Sequence, residues 1–216
     1  MITQARLFPA RDIPPELPFA DYERPQTSWN HLIIVGEAPG AEEIKLGRPF
    51  VGRSGKLLDQ ALAQAGIDRP ACFIANVFQR QPPGNKVDHF FASRRAAQQA
   101  GEALREDWGA LSGKYCRAMF TDGPEQLHAV ILAERPRALL ALGRTPLWAL
   151  TGQNGIAALA GGQFPCRFAP DIPVIATWHP SFILRGNWRL QPDWIDHIRL
   201  AGLAASAPVR AAADAA

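Results

Sequence analysis

Leu32-Ile33-Ile34-Val35 is an unbroken apolar run that stops at Gly36 and gives way at once to Glu37-Ala38-Pro39-Gly40. Four apolar residues with no polar alternation, three of them β-branched, predict a strand buried on both faces. Runs of the same kind recur at 72–77, 138–142 and 173–177. Between them lie helical patterns. In 54–65, Leu57, Leu58, Ala61, Leu62 and Ala65 fall on one face and Gly66 supplies a stop. Further helices are predicted over 124–133, 145–150 and 192–203. Strands alternating with helices imply an α/β fold: three α/β/α layers around a central four-stranded parallel sheet. In such sheets ligands gather at the carboxyl ends of the strands. The residues at those ends are 36–40, Asn76 with the 79–85 loop, Gly143-Arg144 and His179-Pro180-Ser181.

The outer parts of the chain are plainer. Prolines 9, 14, 15, 18 and 25 predict an extended N-terminal arm over 1–30. The main domain is expected over 31–203, followed by an alanine-rich disordered tail over 204–216. The 216 residues are 47% hydrophobic and 20% charged, which excludes a mostly disordered chain. No apolar run reaches the ~18 residues of a membrane span. The first residues lack the apolar core of a signal peptide. Three cysteines with no CxxC pair argue against a disulfide framework, so a reduced, cytoplasmic protein is expected. The net charge of +3 is compatible with nucleic acid but does not demand it.

The strand-end residues carry a resemblance. Gly36-Glu37-Ala38-Pro39-Gly40, then Glu43, then Gly47-Arg48-Pro49-Phe50-Val51-Gly52-Arg53-Ser54-Gly55-Lys56-Leu57-Leu58 resemble the first motif of the family-four uracil-DNA glycosylases. Ala75-Asn76-Val77 followed by Pro82-Pro83-Gly84-Asn85 is similar to their second block. His179-Pro180-Ser181, with Arg185 after it, is similar to their closing motif. Three blocks in order, each at a predicted strand end, are far more specific than one glycine-rich loop. The departures are equally definite. The family holds a four-cysteine iron–sulfur cluster, yet residues 1–35 contain no cysteine, and Arg80 stands where the third ligand falls. Cys116 alone cannot hold a cluster, so no metal and no other cofactor is expected. Ile44 replaces an acidic residue. Residues 87–121 look like an insertion. Relatives that capture uracil covalently carry a glutamine where this chain has Glu37, together with a basic loop not evident here, so covalent capture is not expected.

The resemblance implies a DNA-repair glycosylase that hydrolyses the N-glycosidic bond of uracil and leaves an abasic site. The departing base gathers negative charge toward O2, and His179 is the candidate donor to it. Glu37 is the candidate carboxylate that holds water and favours the cationic sugar. Relatives elsewhere in the superfamily place an aspartate where this chain has Ala38. Asn76 would read the base edge, because its amide offers an acceptor for N3–H and a donor for O4 while cytosine reverses that pattern. Phe50 would stack on the flipped base. Ala38 and Pro39 would complete the base pocket with the Glu37 backbone. Arg53, Ser54, Lys56, Asn85, Lys86, Ser181 and Arg185 are candidate DNA contacts, and Leu184 a candidate wedge into the base stack. Uracil-containing DNA is the expected partner, with no membrane, and a monomer is expected. Three other readings stay open: a glycosylase for deaminated bases such as hypoxanthine and xanthine, a uracil-DNA binding protein without turnover, and a hydrolase of free nucleosides.

Overall fold

A computed structural model describes residues 17–207. The chain runs β1 (Leu32–Gly36), α1 (Ala41–Leu46), α2 (Arg53–Gln64) and β2 (Phe73–Asn76). It continues through β3 (Phe91–Ala92), α3 (Arg94–Ala100), β4 (Leu104–Arg105), β5 (Tyr115–Arg117) and α4 (Asp122–Glu134). Then come β6 (Ala138–Leu142), α5 (Arg144–Thr151), α6 (Ile156–Leu159), β7 (Gln163–Cys166), β8 (Ala169–Thr177), α7 (Pro180–Leu184) and α8 (Gln191–Ser206).

The main sheet has the order β2-β1-β6-β8-β7. Its first four strands are mutually parallel, as expected. The expectation of four strands in all is corrected by β7, which adds an antiparallel edge to β8. Its Pro165 is tolerated there because an edge strand need not donate on both sides. Alternation along each inner strand feeds two cores. Ile33 and Val35 of β1 join Phe73, Leu139 and Val174 beneath α4 and α5. Leu32 and Ile34 join Ile74, Leu140 and Ile175 beneath α2 and α8. That is why the strands read as continuous apolar runs: both faces are covered.

The chain leaves β1 toward β2 on one side and later returns to β6 on the other. The direction of winding therefore reverses at β1, and a crevice opens beyond the carboxyl ends of β1 and β6.

Residues 87–121 form a small antiparallel sheet, β3-β5-β4, with α3 beside it. Phe90, Phe91 and Phe120 anchor it on the first core. The N-terminal segment is extended from 17 onward. It bridges Phe19 to Arg80 and Glu23 to Ile74. Within it Glu23 is 7% exposed and meets Arg69, which is 14% exposed, at 2.9 Å. The predicted arm over 1–16 and the predicted tail over 208–216 lie outside the described residues. The tail expectation for 204–206 is corrected: α8 continues to Ser206 because Ala205 packs into the second core. Among the described residues no helix is long and apolar enough to cross a membrane.

Candidate active site

A cavity of about 810 Å³ opens at the carboxyl ends of the parallel strands. Its first wall is built by Glu43. One carboxylate oxygen accepts from the Gly40 amide (3.1 Å), and the other from the Val51 and Gly52 amides (3.1 and 3.0 Å). One side chain thus staples the loop after β1 to the loop before α2.

Between them sits Phe50, 5% exposed and with φ +54°. A left-handed backbone at a bulky residue costs roughly 1–3 kcal/mol and persists only where the surroundings impose it. Two neighbours impose it here. Arg69 donates to the carbonyls of Pro49 and Phe50 (3.0 and 3.1 Å). Gly55 lets α2 approach so closely that an added Cβ would lie 1.8 Å from the Phe50 carbonyl oxygen.

Gly36, the last residue of β1, pairs in register with Asn76, the last residue of β2. Its missing side chain leaves the space that Asn76 Oδ1 and the Phe50 ring occupy. Asn76 is 6% exposed, so its amide must find its partners in the cavity or lose them.

On the opposite side, His179 caps α7. Its Nδ1 accepts from the Ser181 amide (3.1 Å) and lies 2.8 Å from the Ser181 hydroxyl, which in turn accepts from Arg185 (3.1 Å). An Nδ1 that accepts from an amide carries no proton, so this network assigns the neutral ring's proton to Nε2. Burial, then the Arg185 charge, push the His179 pKa down to about 4. The imidazole is therefore a neutral donor through Nε2 at ordinary pH. Its ring lies 5.8 Å from that of Phe50.

Glu37, just past β1, accepts from the Thr145 hydroxyl at 2.5 Å. Burial pushes its carboxyl pKa up, against the Thr145 hydrogen bond and the Arg144 charge. Arg144 is itself held by Asp88 of the 87–121 segment (2.6 Å), which also takes Lys114 (3.2 Å). The cavity thus holds a half-buried carboxylate, a neutral imidazole donor, an amide and an aromatic face, under a rim carrying Arg53, Arg144 and Arg185.

A family model described as the uracil DNA glycosylase superfamily matches residues 28–200. The chain belongs to the uracil-DNA glycosylase superfamily. It is similar to proteins named type-4 uracil-DNA glycosylase. The one from Thermotoga maritima is 31% identical over 156 residues, 72% of this chain and 67% of that protein. The one from Archaeoglobus fulgidus is 47% identical over 159 residues, 71% and 66% of the two chains. The one from Pyrobaculum aerophilum is 31% identical over 160 residues, 71% and 68%.

The superfamily motifs place Glu37, Ala38, Pro39, Phe50, Asn76 and His179 on the wall of one cavity. Of the predicted DNA contacts, Arg53, Ser54, Asn85, Ser181 and Arg185 line it too. Lys56 and Lys86 do not. Lys56 precedes the buried pair Leu57 and Leu58 on α2 and is turned to solvent by the helical phase. Leu184 lies at the end of α7 and not in a loop, half-buried against the second core. Five residues contribute that the sequence did not assign to these roles: Glu43 as a staple, Arg69 as a clamp, Thr145, and Asp88 with Arg144. Glu43 carried a signal as part of the first motif, and Arg144 as a residue after a strand-end glycine.

The cysteines do not fit a four-thiolate cluster. Cys72 lies in the second core, Cys116 and Cys166 in the first, all free and buried. Burial pushes the thiols of Cys72 and Cys116 up to about 11 and about 12, away from the thiolate a metal requires. Arg80 instead pairs with Asp122 (3.3 Å) and donates to the Leu17 carbonyl (3.5 Å), joining the N-terminal segment to α4.

Proposed function

We propose that this protein hydrolyses the N-glycosidic bond of uracil in DNA, leaving an abasic site, as a monomer with no metal or organic cofactor. The observation that carries the reading is His179: a neutral donor, its tautomer set by Ser181, on the same cavity as Phe50 and Asn76.

In this reading the extruded base stacks on Phe50 and pairs its edge with the Asn76 amide, beside Ala38 and Pro39. As the C1′–N1 bond breaks, its electron pair leaves with the base and charge spreads to O2. His179 Nε2–H stabilises that charge by hydrogen bonding and keeps its proton. The ionised Glu37 favours the cationic sugar and orients water. The water oxygen bonds to C1′, its proton passes to Glu37 or to solvent, and the uracil anion is later protonated. Arg53, Arg185, Ser54, Asn85 and Ser181 grip the strand on either side, with Lys56 and Lys86 as outlying charges.

Two observations favour a wider substrate range as a second reading. The cavity of about 810 Å³ has room for a purine, and the loop after β1 carries no tyrosine to narrow it. The test is release of base from labelled oligonucleotides holding uracil, hypoxanthine or xanthine, in excess over protein, with deoxyuridine alone as a control. Many turnovers on uracil alone support the first reading, and on all three the second. Product that stops at one equivalent, or turnover of deoxyuridine without DNA, would overturn both. Iron in anaerobically purified protein, with a broad visible absorption band, would overturn the cofactor-free part.

A further inference from the structure

Thr145 is the second residue of α5 and is fully buried. A buried threonine in a helix commonly returns its hydroxyl to a carbonyl of the preceding turn. Thr151 at the other end of the same helix does so, donating to the Leu147 carbonyl at 2.6 Å. Thr145 does not. Its hydroxyl crosses to Glu37, 108 residues away in sequence, and donates to Oε2 at 2.5 Å. The approach depends on Gly143, whose φ of +101° turns the chain from β6 into α5 beside His179.

We propose that Thr145 is a positioning residue: it holds one oxygen of Glu37 so that the carboxylate presents the other to the cavity. The proposal rests on the reading of Glu37 as the ionised carboxylate of a glycosylase. A carboxylate has one rotatable bond at its end and several above it. A single fixed donor on Oε2 removes much of that freedom, and it favours the charged form because a hydrogen bond to an ionised oxygen is stronger than one to the neutral acid. The other charges facing Glu37 are Arg144 at the start of α5, Arg185 after α7, and Asp88 of the 87–121 segment. Arg144 and Arg185 also favour the ionised form, Asp88 opposes it, and burial opposes it most. Without Thr145 the balance moves toward the protonated acid.

The test is single-turnover uracil release between about pH 4.5 and 9 for wild type, Thr145→Val, Thr145→Ser and Glu37→Gln, because the acid limb reports the ionisation of an essential carboxylate. Valine keeps the shape and removes the donor, whereas serine keeps the donor. The expected result is an acid limb displaced to higher pH in Thr145→Val, with a fall of roughly tenfold at acid pH, the worth of a hydrogen bond to a charged group. Thr145→Ser should return both to wild type. If the valine variant does not fold, Thr145→Ala carries the same comparison. A valine or alanine profile that overlays wild type, while Glu37→Gln is inactive, overturns the positioning role and leaves the Glu37 reading standing. A serine variant that fails to restore the limb overturns it as well. A fully active Glu37→Gln, or a wild type that releases no uracil, overturns it together with the reading beneath it.

Discussion

Replacing Gly36 by alanine adds one methyl group at the point where two site residues meet. An ideal Cβ there would lie 2.4 Å from Asn76 Oδ1 and 2.5 Å from Phe50 Cζ, against about 3.4 Å for ordinary contact. Both side chains must therefore retreat by about 1 Å, or the strand must shift by that much. The backbone at Gly36 has no positive φ, so alanine adds no conformational strain of its own. Overpacking of this kind costs roughly 1–3 kcal/mol of stability, which a domain with roughly 5–15 kcal/mol in hand survives. The effect on chemistry is larger. A misplacement of ~1 Å in a reacting constellation costs on the order of 10²-fold in rate. Single-turnover uracil release and a thermal melt on the same preparation measure both quantities. The expected outcome is a rate lowered about a hundredfold, with a melting temperature lowered by several degrees and a cooperative transition. A folded Gly36→Ala protein with a rate within about twofold of wild type would refute the placement of Asn76 and Phe50 against the base.

Three other outcomes follow from the same geometry. Asn76→Ala should lower kcat/KM for uracil by about 10²-fold or more and narrow the preference over cytosine, since a matched polar partner is lost; steady-state competition between the two bases checks it. Arg69→Ala should destabilise by up to about 3 kcal/mol in urea unfolding, less than a fully orphaned charge would cost, because buried Glu23 keeps only the longer pair with Arg48 at 3.7 Å. It should also lower activity, because the carbonyls of Pro49 and Phe50 lose their clamp. Asp88→Asn removes a negative charge that opposes ionisation of Glu37, so the acid limb of uracil release should move to lower pH, opposite to Thr145→Val. Asp88 is 52% exposed, so added salt should shrink that shift.

Which parts of this molecule can be read from sequence follows from what each part buries. The four parallel strands are legible because both faces of each are covered, which forces continuous apolar runs such as Ala138–Leu142. β7 is not legible, because its pattern of Gln163, Phe164 and Pro165 before a buried Cys166 belongs to a half-exposed edge. α1 escapes notice because it buries none of its six residues and forms instead on Gly40 and Glu43. α7 hides behind Pro180, which reads as a turn although proline suits the first position of a helix.

The site divides in the same way. Glu37 follows β1, Asn76 ends β2 and His179 lies two residues past β8, at strand ends where the winding of the sheet makes position informative. Thr145 and Asp88 reach the site through contacts over long sequence separations that no local pattern encodes. Lys56 shows the converse: a basic residue inside a motif can be carried away from the cavity by the phase of its helix.

The neutral His179 is the group on which the proposed chemistry turns, and one experiment addresses it directly. Labelled uracil-containing oligonucleotides, single- and double-stranded, are offered in excess to wild type and His179→Ala. Wild type should show many turnovers, and the variant a loss of about 10²–10³-fold, the worth of one preorganised donor to a developing anion, with DNA binding retained. A variant that turns over uracil DNA at the wild-type rate would contradict that role.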